Sequence, residues 1–252
     1  MVESPSAAGS SILRLRQTGP ISSAAERAFA AALSDQRLVE PRQDLISEGE
    51  ASDAIVALLD GFACRYKTVA RGRRQITGLL LPGDFDDTQP GLSGYPDYSV
   101  ATITPCRVAR VPRPVLERLF REHPVIEHGF RCFTRIELRT LREWLLNMGQ
   151  RMADRQVAHL FCELQHRMEG IEMVADGGFA LPFTQEELAD ILGLSTVHVN
   201  RVLQELRRSG MIRLDQRRLT IVNLEALSIL GEFDPSYLQM PDPYQIELAA
   251  FR

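Results

Sequence analysis

The sequence has no run of apolar residues approaching the eighteen or so that a membrane-spanning helix needs. It also has no basic stretch followed by an apolar core at its start. Met1 to Ser11 is small and polar, with Pro5 and Gly9, and reads as a loose tail instead of a signal peptide. A cytoplasmic protein is the expectation. Cysteine is sparse. Cys64, Cys106, Cys132 and Cys162 are scattered without a C-x-x-C pair, which argues against a disulfide framework and against a clustered zinc or iron–sulfur site. The signatures G-x-G-x-x-G, P-loop, H-E-x-x-H and G-x-S-x-G are all missing. The adjacent acids Asp86 and Asp87 could bind a metal, but neighbouring side chains in a strand or turn diverge. The sequence therefore assigns no catalytic residue, no metal and no cofactor, and an enzyme is the weakest reading.

What is present is an ordinary globular composition, 44% hydrophobic and 25% charged over 252 residues. That length suits two domains at roughly 150 residues each. The net charge of −4 is a poor match to nucleic acid, yet its distribution is uneven. Ser195 to Asn223 carries Arg201, Arg207, Arg208, Arg213, Arg217 and Arg218 against Glu205 and Asp215, a segment at +4 in a remainder at −8. From Leu224 onward, Glu225, Glu232, Asp234, Asp242 and Glu247 face only Arg252. A solvated helix face is the bland reading of the basic segment.

Residues 36–112 read as short strands. Gly49, Gly61, Gly72 and Gly83 recur at eleven- to twelve-residue steps, with β-rich runs between them (Ala54 to Leu59, Phe62 to Val69, Gln75 to Leu81). Val100 to Ile103 and Arg107 to Val111 resume the pattern after a loop from Pro90 to Pro96. Strands at this spacing indicate a sandwich or barrel. After Pro114 the period becomes helical. Phe130, Phe133, Leu138, Leu141, Leu145 and Met148 fall mostly at three- and four-residue steps, which predicts one long amphipathic helix. Such a stripe packs on its own β domain or on a second copy, and its length favours the dimer. Gly149 is the expected hinge. A second helix is expected from Gln150 to Met168, burying Met152, Val157, Leu160, Phe161 and Leu164.

Phe183-Thr184-Gln185-Glu186-Glu187 is a capping box with Phe183 placed as a staple, so a helix starts at Gln185. Leu188, Ile191 and Leu192 form its inner face, Gly193 interrupts, and Ser195 caps a second helix running to Arg208. This is a helix-turn-helix. On a wheel of about 100° per residue, Val199, Val202, Leu203 and Leu206 share the buried face. Opposite them stand Val197, Arg201, Gln204 and Arg208, flanked by Asn200 and Arg207. Guanidinium and amide groups are the types that grip guanine and adenine edges, and an outward valine suits a thymine methyl. Met211 to Leu214 and Arg218 to Val222 then form a basic hairpin, a wing suited to phosphate.

These segments resemble the Crp/Fnr regulators. FTQEELADILGLSTVHVNRVLQELRRSGMIRLDQRRLTIVN is similar to that family's DNA-binding domain. LISEGEASDAIVALLDGFACRYK, GRRQITGLLLPGDF and CRVARVPRPVLERL are similar to its β-roll sensor domain. The resemblance covers roughly residues 25–230 and implies a parallel dimer contact through the long helix. Members that bind cyclic nucleotides follow Gly-Asp-Phe with Gly-Glu and later supply Arg-Ser. Here Gly83-Asp84-Phe85 is followed by Asp86-Asp87, and the later loop reads Pro96-Asp97-Tyr98-Ser99. The arginine is missing and carboxylates stand where an anion would bind, so cyclic AMP is not expected. Oxygen-sensing members carry an N-terminal cysteine cluster, and none precedes Cys64. His128/Cys132 and His159/Cys162 have the one-face spacing a haem would use, although buried cysteine and paired histidine are commoner. Many members read Arg-Glu after the capping serine, with a further Arg four residues beyond. Arg201 matches the last, while Thr196 and Val197 depart from the first two, so the family's usual target should not transfer.

The reading is thus an α+β chain: a cyclic-nucleotide-binding-like β-roll, a long dimerisation helix and a C-terminal winged helix-turn-helix. Its expected parts are a flexible tail (1–24), the β-roll (25–124), the dimer helix and hinge (125–149), the winged helix (150–230) and a second tail (231–252). Thr196, Val197, Asn200 and Arg201 are expected at base edges. Thr184, Ser195, His198, Gln204, Arg208, Arg217 and Arg218 are expected at phosphates. Phe130, Phe133, Leu138, Leu141, Leu145 and Met148 are expected in the dimer seam. Gly83, Asp84, Phe85, Asp86, Asp87, Tyr98 and Ser99 form a degenerate effector pocket for an unknown effector. Partners are a second copy, double-stranded DNA with an inverted repeat and, for an activator, RNA polymerase; no membrane. The rival reading is a ligand- or redox-sensing protein whose winged helix contacts another protein.

Overall fold

A computed structural model describes residues 8–70, 72–89 and 95–239. The chain opens with two helices, α1 (Gly9–Arg16) and α2 (Ser23–Ala32), followed by strands β1 (Gln36–Val39), β2 (Asp44–Ile46), β3 (Ala54–Asp60), β4 (Ala63–Thr68), β5 (Arg74–Leu80), β6 (Ser99–Thr102) and β7 (Cys106–Pro112). All pairings are antiparallel, in two sheets of order β1-β7-β3 and β2-β6-β4-β5. Alternation explains the fold locally: Val56, Leu58, Val100 and Val108 point into the space between the sheets. Gly61 joins β3 to β4 at φ +89°, where a side chain is strained, and an added Cβ would also strike Cys106 Sγ at 2.8 Å. Most of the loop expected from Pro90 to Pro96 lies outside the described residues.

Next come α3 (Arg113–Glu122), α4 (Pro124–Gln150) and α5 (Ala153–Glu169), then β8 (Gly178–Ala180), α6 (Gln185–Leu192), α7 (Thr196–Arg208), β9 (Ile212–Asp215), β10 (Arg218–Ile221) and α8 (Leu224–Gly231). A 3-10 turn, Pro235–Leu238, follows. The break after the long helix differs from expectation. Gly149 is helical, and the extended residues are Arg151 (ψ 145°) and Met152 (ψ 161°). Met152, expected inside, is an exposed residue at the start of α5.

Both presumed tails are partly built in. Within the first, α1 buries Ser10, Ser11 and Leu15, so the loose reading of Met1 to Ser11 fails from Gly9 onward. In the second, Tyr237 is buried and its hydroxyl donates to Glu163. The sequence missed both because each segment is too short to show a period and gains its burial from distant elements.

The winged-helix part does not have a core of its own. One apolar cluster runs from Phe62, Cys64, Ile76 and Leu79 of the β-roll through Trp144 into α5, α6 and α7. Phe62 meets Phe183 edge to face at 5.7 Å. Arg74 pairs with Asp190 at 3.0 Å, and Gln75 donates to the Asp190 carbonyl at 2.6 Å.

Candidate nucleic-acid interface

Two caps fix the helix-turn-helix. The Thr184 side chain accepts from the Glu187 amide, while the Glu187 carboxylate accepts from the Thr184 amide at 2.7 Å. Gly193 ends α6 in the left-handed region (φ +65°), and Ser195 accepts from the His198 amide at 3.3 Å to start α7. Val199, Val202, Leu203 and Leu206 are buried beneath α7. Its outer face is open: Thr196, Val197, His198, Arg201, Gln204 and Arg208 are exposed, and Val197 is 76% exposed.

The outward side chains fall into two groups. Gln204 donates to Asn200 Oδ1 at 3.0 Å, and Arg208 donates to Gln204 Oε1 at 3.4 Å, a ladder along the helix. Arg201 makes no hydrogen bond or ion pair among the described residues, so its guanidinium fork is free to meet an acceptor. Thr184 and Ser195 already use their hydroxyls in capping.

The wing is the hairpin β9–β10, three-stranded with β8. Gln216 and Arg217 at its tip both have positive φ (46° and 60°), as a two-residue turn matching strand twist requires. Arg217 is exposed at the tip. Arg218 is not available in the same way: its guanidinium donates to the carbonyls of Ala175 and Gly178 and pins the loop before β8. That placement corrects its assignment as a phosphate contact. Arg213, exposed on β9 and without a hydrogen bond or ion pair among the described residues, adds a cation to this surface.

On α4 the expected stripe separates into two seams. Phe130 and Phe133, 2% and 7% exposed, pack on Phe85 of their own β-roll. Leu138, Leu141, Leu145 and Met148 lie on a different face, with Leu145 70% exposed. The step from Phe133 to Leu138 is five residues, which rotates the helix by about 140° from one seam to the other. Phe130 and Phe133 are therefore not available to a partner helix. Leu138 and Leu145 stand seven residues apart on that face, with Leu141 between them and Met148 beyond.

The effector-pocket residues are not all together. Asp84 and Phe85 line a cavity of about 620 Å³ between the β-roll, α4 and α5. Gly83 backs onto α1. Asp87 pairs with Arg113 at 2.9 Å, the Tyr98 hydroxyl donates to the Asp86 carbonyl at 2.6 Å, and Ser99 Oγ accepts from the Glu48 amide. The acids are also less repulsive to an anion than their sequence suggests. Asp84 is matched by Arg14 at 2.7 Å and Arg167 at 2.9 Å. Burial pushes the Asp86 carboxyl up to about 7, helped by the charge of Asp87 and opposed by the Val56 amide that donates to it. Tyr98 and Ser99, where the resemblance places an Arg-Ser pair, are both hydrogen-bonded within the β-roll.

Asp86 yields a pH prediction. Its ordinary value of 3.8 is raised to about 7 in the folded chain, so the fold binds that proton more tightly than the unfolded chain. Its contribution to stability is then full at low pH and lost as pH rises from about 4 to about 7. Asp86→Asn should flatten that part of the stability profile, read by urea denaturation at several pH values. An unchanged slope would remove Asp86 as its source.

The four thiols are buried, and burial pushes Cys64 up to about 12 and Cys162 up to about 11. His128 Nε2 lies 3.4 Å from Cys132 Sγ. The His159 ring lies against the Gly231 carbonyl and the Tyr237 hydroxyl, at 3.0 and 3.2 Å. Cys162 Sγ lies 3.6 Å from Ser228 Oγ, so His159 and Cys162 meet different groups of the chain.

Comparison with known proteins covers both parts. The family described as Crp-like helix-turn-helix domain matches residues 155–230, and the cyclic nucleotide-binding domain matches residues 36–123. The transcriptional activator protein FnrL of Cereibacter sphaeroides is 32% identical over 189 residues, 74% of this chain and 75% of FnrL. The nitrogen fixation regulation protein FixK of Bradyrhizobium diazoefficiens is 29% identical, over 74% of this chain and 78% of FixK. The structure of FixK2 from Bradyrhizobium japonicum superposes with a TM-score of 0.70 at 25% identity, covering 79% of this chain and 98% of FixK2.

Proposed function

The chain belongs to the Crp/Fnr family of transcription regulators, and on that premise we propose that it works in the cytoplasm as a homodimer on an inverted-repeat DNA site. The β-roll and its flanking helices serve as the sensor part, α4 as the dimer helix, and α5 to α8 as the DNA-binding part. Two copies of α7 enter successive major grooves about 34 Å apart. Val197 and Arg201 read base edges, with Thr196 and Asn200 beside them. His198, Gln204, Arg208 and Arg217 hold phosphates, joined by Arg213, while Thr184 and Ser195 act through the helix ends they cap. If the protein activates transcription, as the names of relatives such as FnrL say of them, RNA polymerase is its further partner.

The observation that carries this reading is the outer face of α7. A valine 76% exposed, one turn from an arginine that no described residue pairs, has no role in the packing of the described residues. Its apolar surface suits a thymine methyl, and the arginine suits guanine O6 and N7. Arg201→Ala should cost about 1–3 kcal/mol at the preferred site and relax one base pair per half-site. Val197→Glu should move the preference toward a cytosine amino group and away from thymine, leaving overall affinity for its own best site intact. Selection of binding sites from random duplexes, run on the wild type and both variants, checks this. Unchanged motifs in both variants would sink the assignment of α7 as the reading helix.

A further inference from the structure

The cavity of about 620 Å³ is of a size that takes a small molecule. One side of it is apolar, formed by Leu79, Phe85, Phe133, Ile136, Leu141 and Trp144. The other side is charged, with Arg14, Arg65 and Arg167 beside Asp84, Glu137 and Glu169, and with His166. Arg167 is held at both terminal nitrogens: it donates to Asp84 and to the Leu79 carbonyl, both at 2.9 Å, and pairs with Glu163 at 3.3 Å. Arg65, also in the wall, is held by Glu137 and by the carbonyls of Phe85 and Asp86.

Arg14 differs from both. Its one polar partner among the described residues is Asp84, which it shares with Arg167, and its guanidinium lies 5.8 Å from the centre of the Phe133 ring. Its Nε and Nη1 make no hydrogen bond there, although the side chain is only 16% exposed. Burial lowers its affinity for its proton, Asp84 restores part of it, and Arg167 works against it. Arg14 is thus paired in charge by Asp84 but keeps hydrogen-bond donors that no described residue takes up.

The position of Arg14 is built into the fold. α1 sits where three glycines admit it. A Cβ on Gly83 would come within 2.7 Å of the Ser10 carbonyl and 2.9 Å of Arg14 Cδ, and one on Gly170 within 2.8 Å of Gln17 Nε2. One on Gly129, in α4, would run into Leu15. Arg14 and Gln17 at one edge of the cavity, and Leu238 and Gln239 at another, lie outside both matched family regions, 36–123 and 155–230.

We propose that this cavity binds a small organic anion, its carboxylate, sulfonate or phosphate head on the free donors of Arg14 and its aromatic or aliphatic body against Phe133, Ile136 and Trp144. The proposal rests on the reading of the chain as a regulator and supplies its missing effector class. Asp84 links Arg14 to Arg167 on α5, and α5 packs on α7, so occupancy is felt by the reading helix.

The test uses the full chain and two dyes. 1-Anilinonaphthalene-8-sulfonate has an aromatic body and an anionic head, and N-phenyl-1-naphthylamine has the same body without the charge. The sulfonate should bind saturably, once per chain, with enhanced fluorescence. Arg14→Gln should weaken it at least tenfold and leave the neutral dye unchanged, while Thr140→Trp, which fills the cavity, should abolish both. Arg14→Lys, which keeps the charge but not the fork, should fall between and serves if the glutamine variant unfolds. Equal sulfonate affinity in the wild type and Arg14→Gln, or persistence of both dyes in Thr140→Trp, would overturn the proposal and place the dyes on the exposed leucines of α4. Duplex binding by the same samples separates the two readings: dye results that fail beside intact DNA binding remove only the effector site.

Discussion

A chain carrying Leu138→Glu and Leu145→Glu is expected to run as a monomer at micromolar concentration and to bind an inverted-repeat duplex at least ~10²-fold more weakly than the wild type, because the two half-sites no longer act together. Leu138 and Leu145 are 45% and 70% exposed one heptad apart, with Leu141 and Met148 between and beyond them. Burying a leucine contributes about 1.5–3 kcal/mol, and in a symmetric pair each position counts twice. Glutamate in the same seam forfeits that contribution and sets like charges against each other across the axis. The folded monomer should tolerate both changes, since neither side chain supports its own core. Light scattering gives the mass, and an unchanged dimer in the double variant would show that α4 does not make the contact. Phe130 is the contrasting position: Phe130→Ala should lower stability through the β-roll and leave the association constant alone.

The second large effect is expected at Arg167. It is the shared counter-ion of Asp84 and of Glu163, and Glu163 is fully buried, accepting also from Trp144 Nε1 at 2.8 Å and the Tyr237 hydroxyl at 2.8 Å. Arg167→Met keeps the length of the side chain and removes the charge. It leaves two carboxylates without their shared partner, which costs about 3–5 kcal/mol for a broken buried pair. For a chain of this size that is a fall of about 10 °C in Tm. Adding Glu163→Gln should return part of the loss, because the amide oxygen still accepts from Trp144 and Tyr237 and carries no unpaired charge. Thermal denaturation of the single and double variants checks both statements. A loss below about 1 kcal/mol in the single variant would mean that water, not Arg167, screens these acids.

The helix-turn-helix was legible residue by residue. A capping box at Thr184 and Glu187, a glycine at 193 and a capping serine at 195 are local signals, and each works through hydrogen bonds within a few residues of chain. The same holds for the strands, whose alternation and turn glycines need no distant partner. It also holds for the outward face of α7, because the period of a helix sorts Val199 from Arg201 without help. From these signals, and from the resemblance to Crp/Fnr regulators that they carry, the fold class and the role as a transcription regulator followed, and the matches to FnrL and FixK agree.

Tertiary structure decided what depends on elements far apart in sequence. Phe133 and Leu138 looked like one stripe, and only the position of Phe85 showed that the first half of it faces inward. Arg218 looked like any wing cation until the Ala175 and Gly178 carbonyls claimed it. The acids of the Gly83 turn looked like a barrier to anions, and the arginines that answer Asp84 come from residues 14 and 167. Charge on a side chain is written in the sequence; its neutralisation is set by whichever group the fold brings within about 4 Å. That is why the second helix of the helix-turn-helix was visible from the start, while the cavity, its arginine and the helix that delivers it were not.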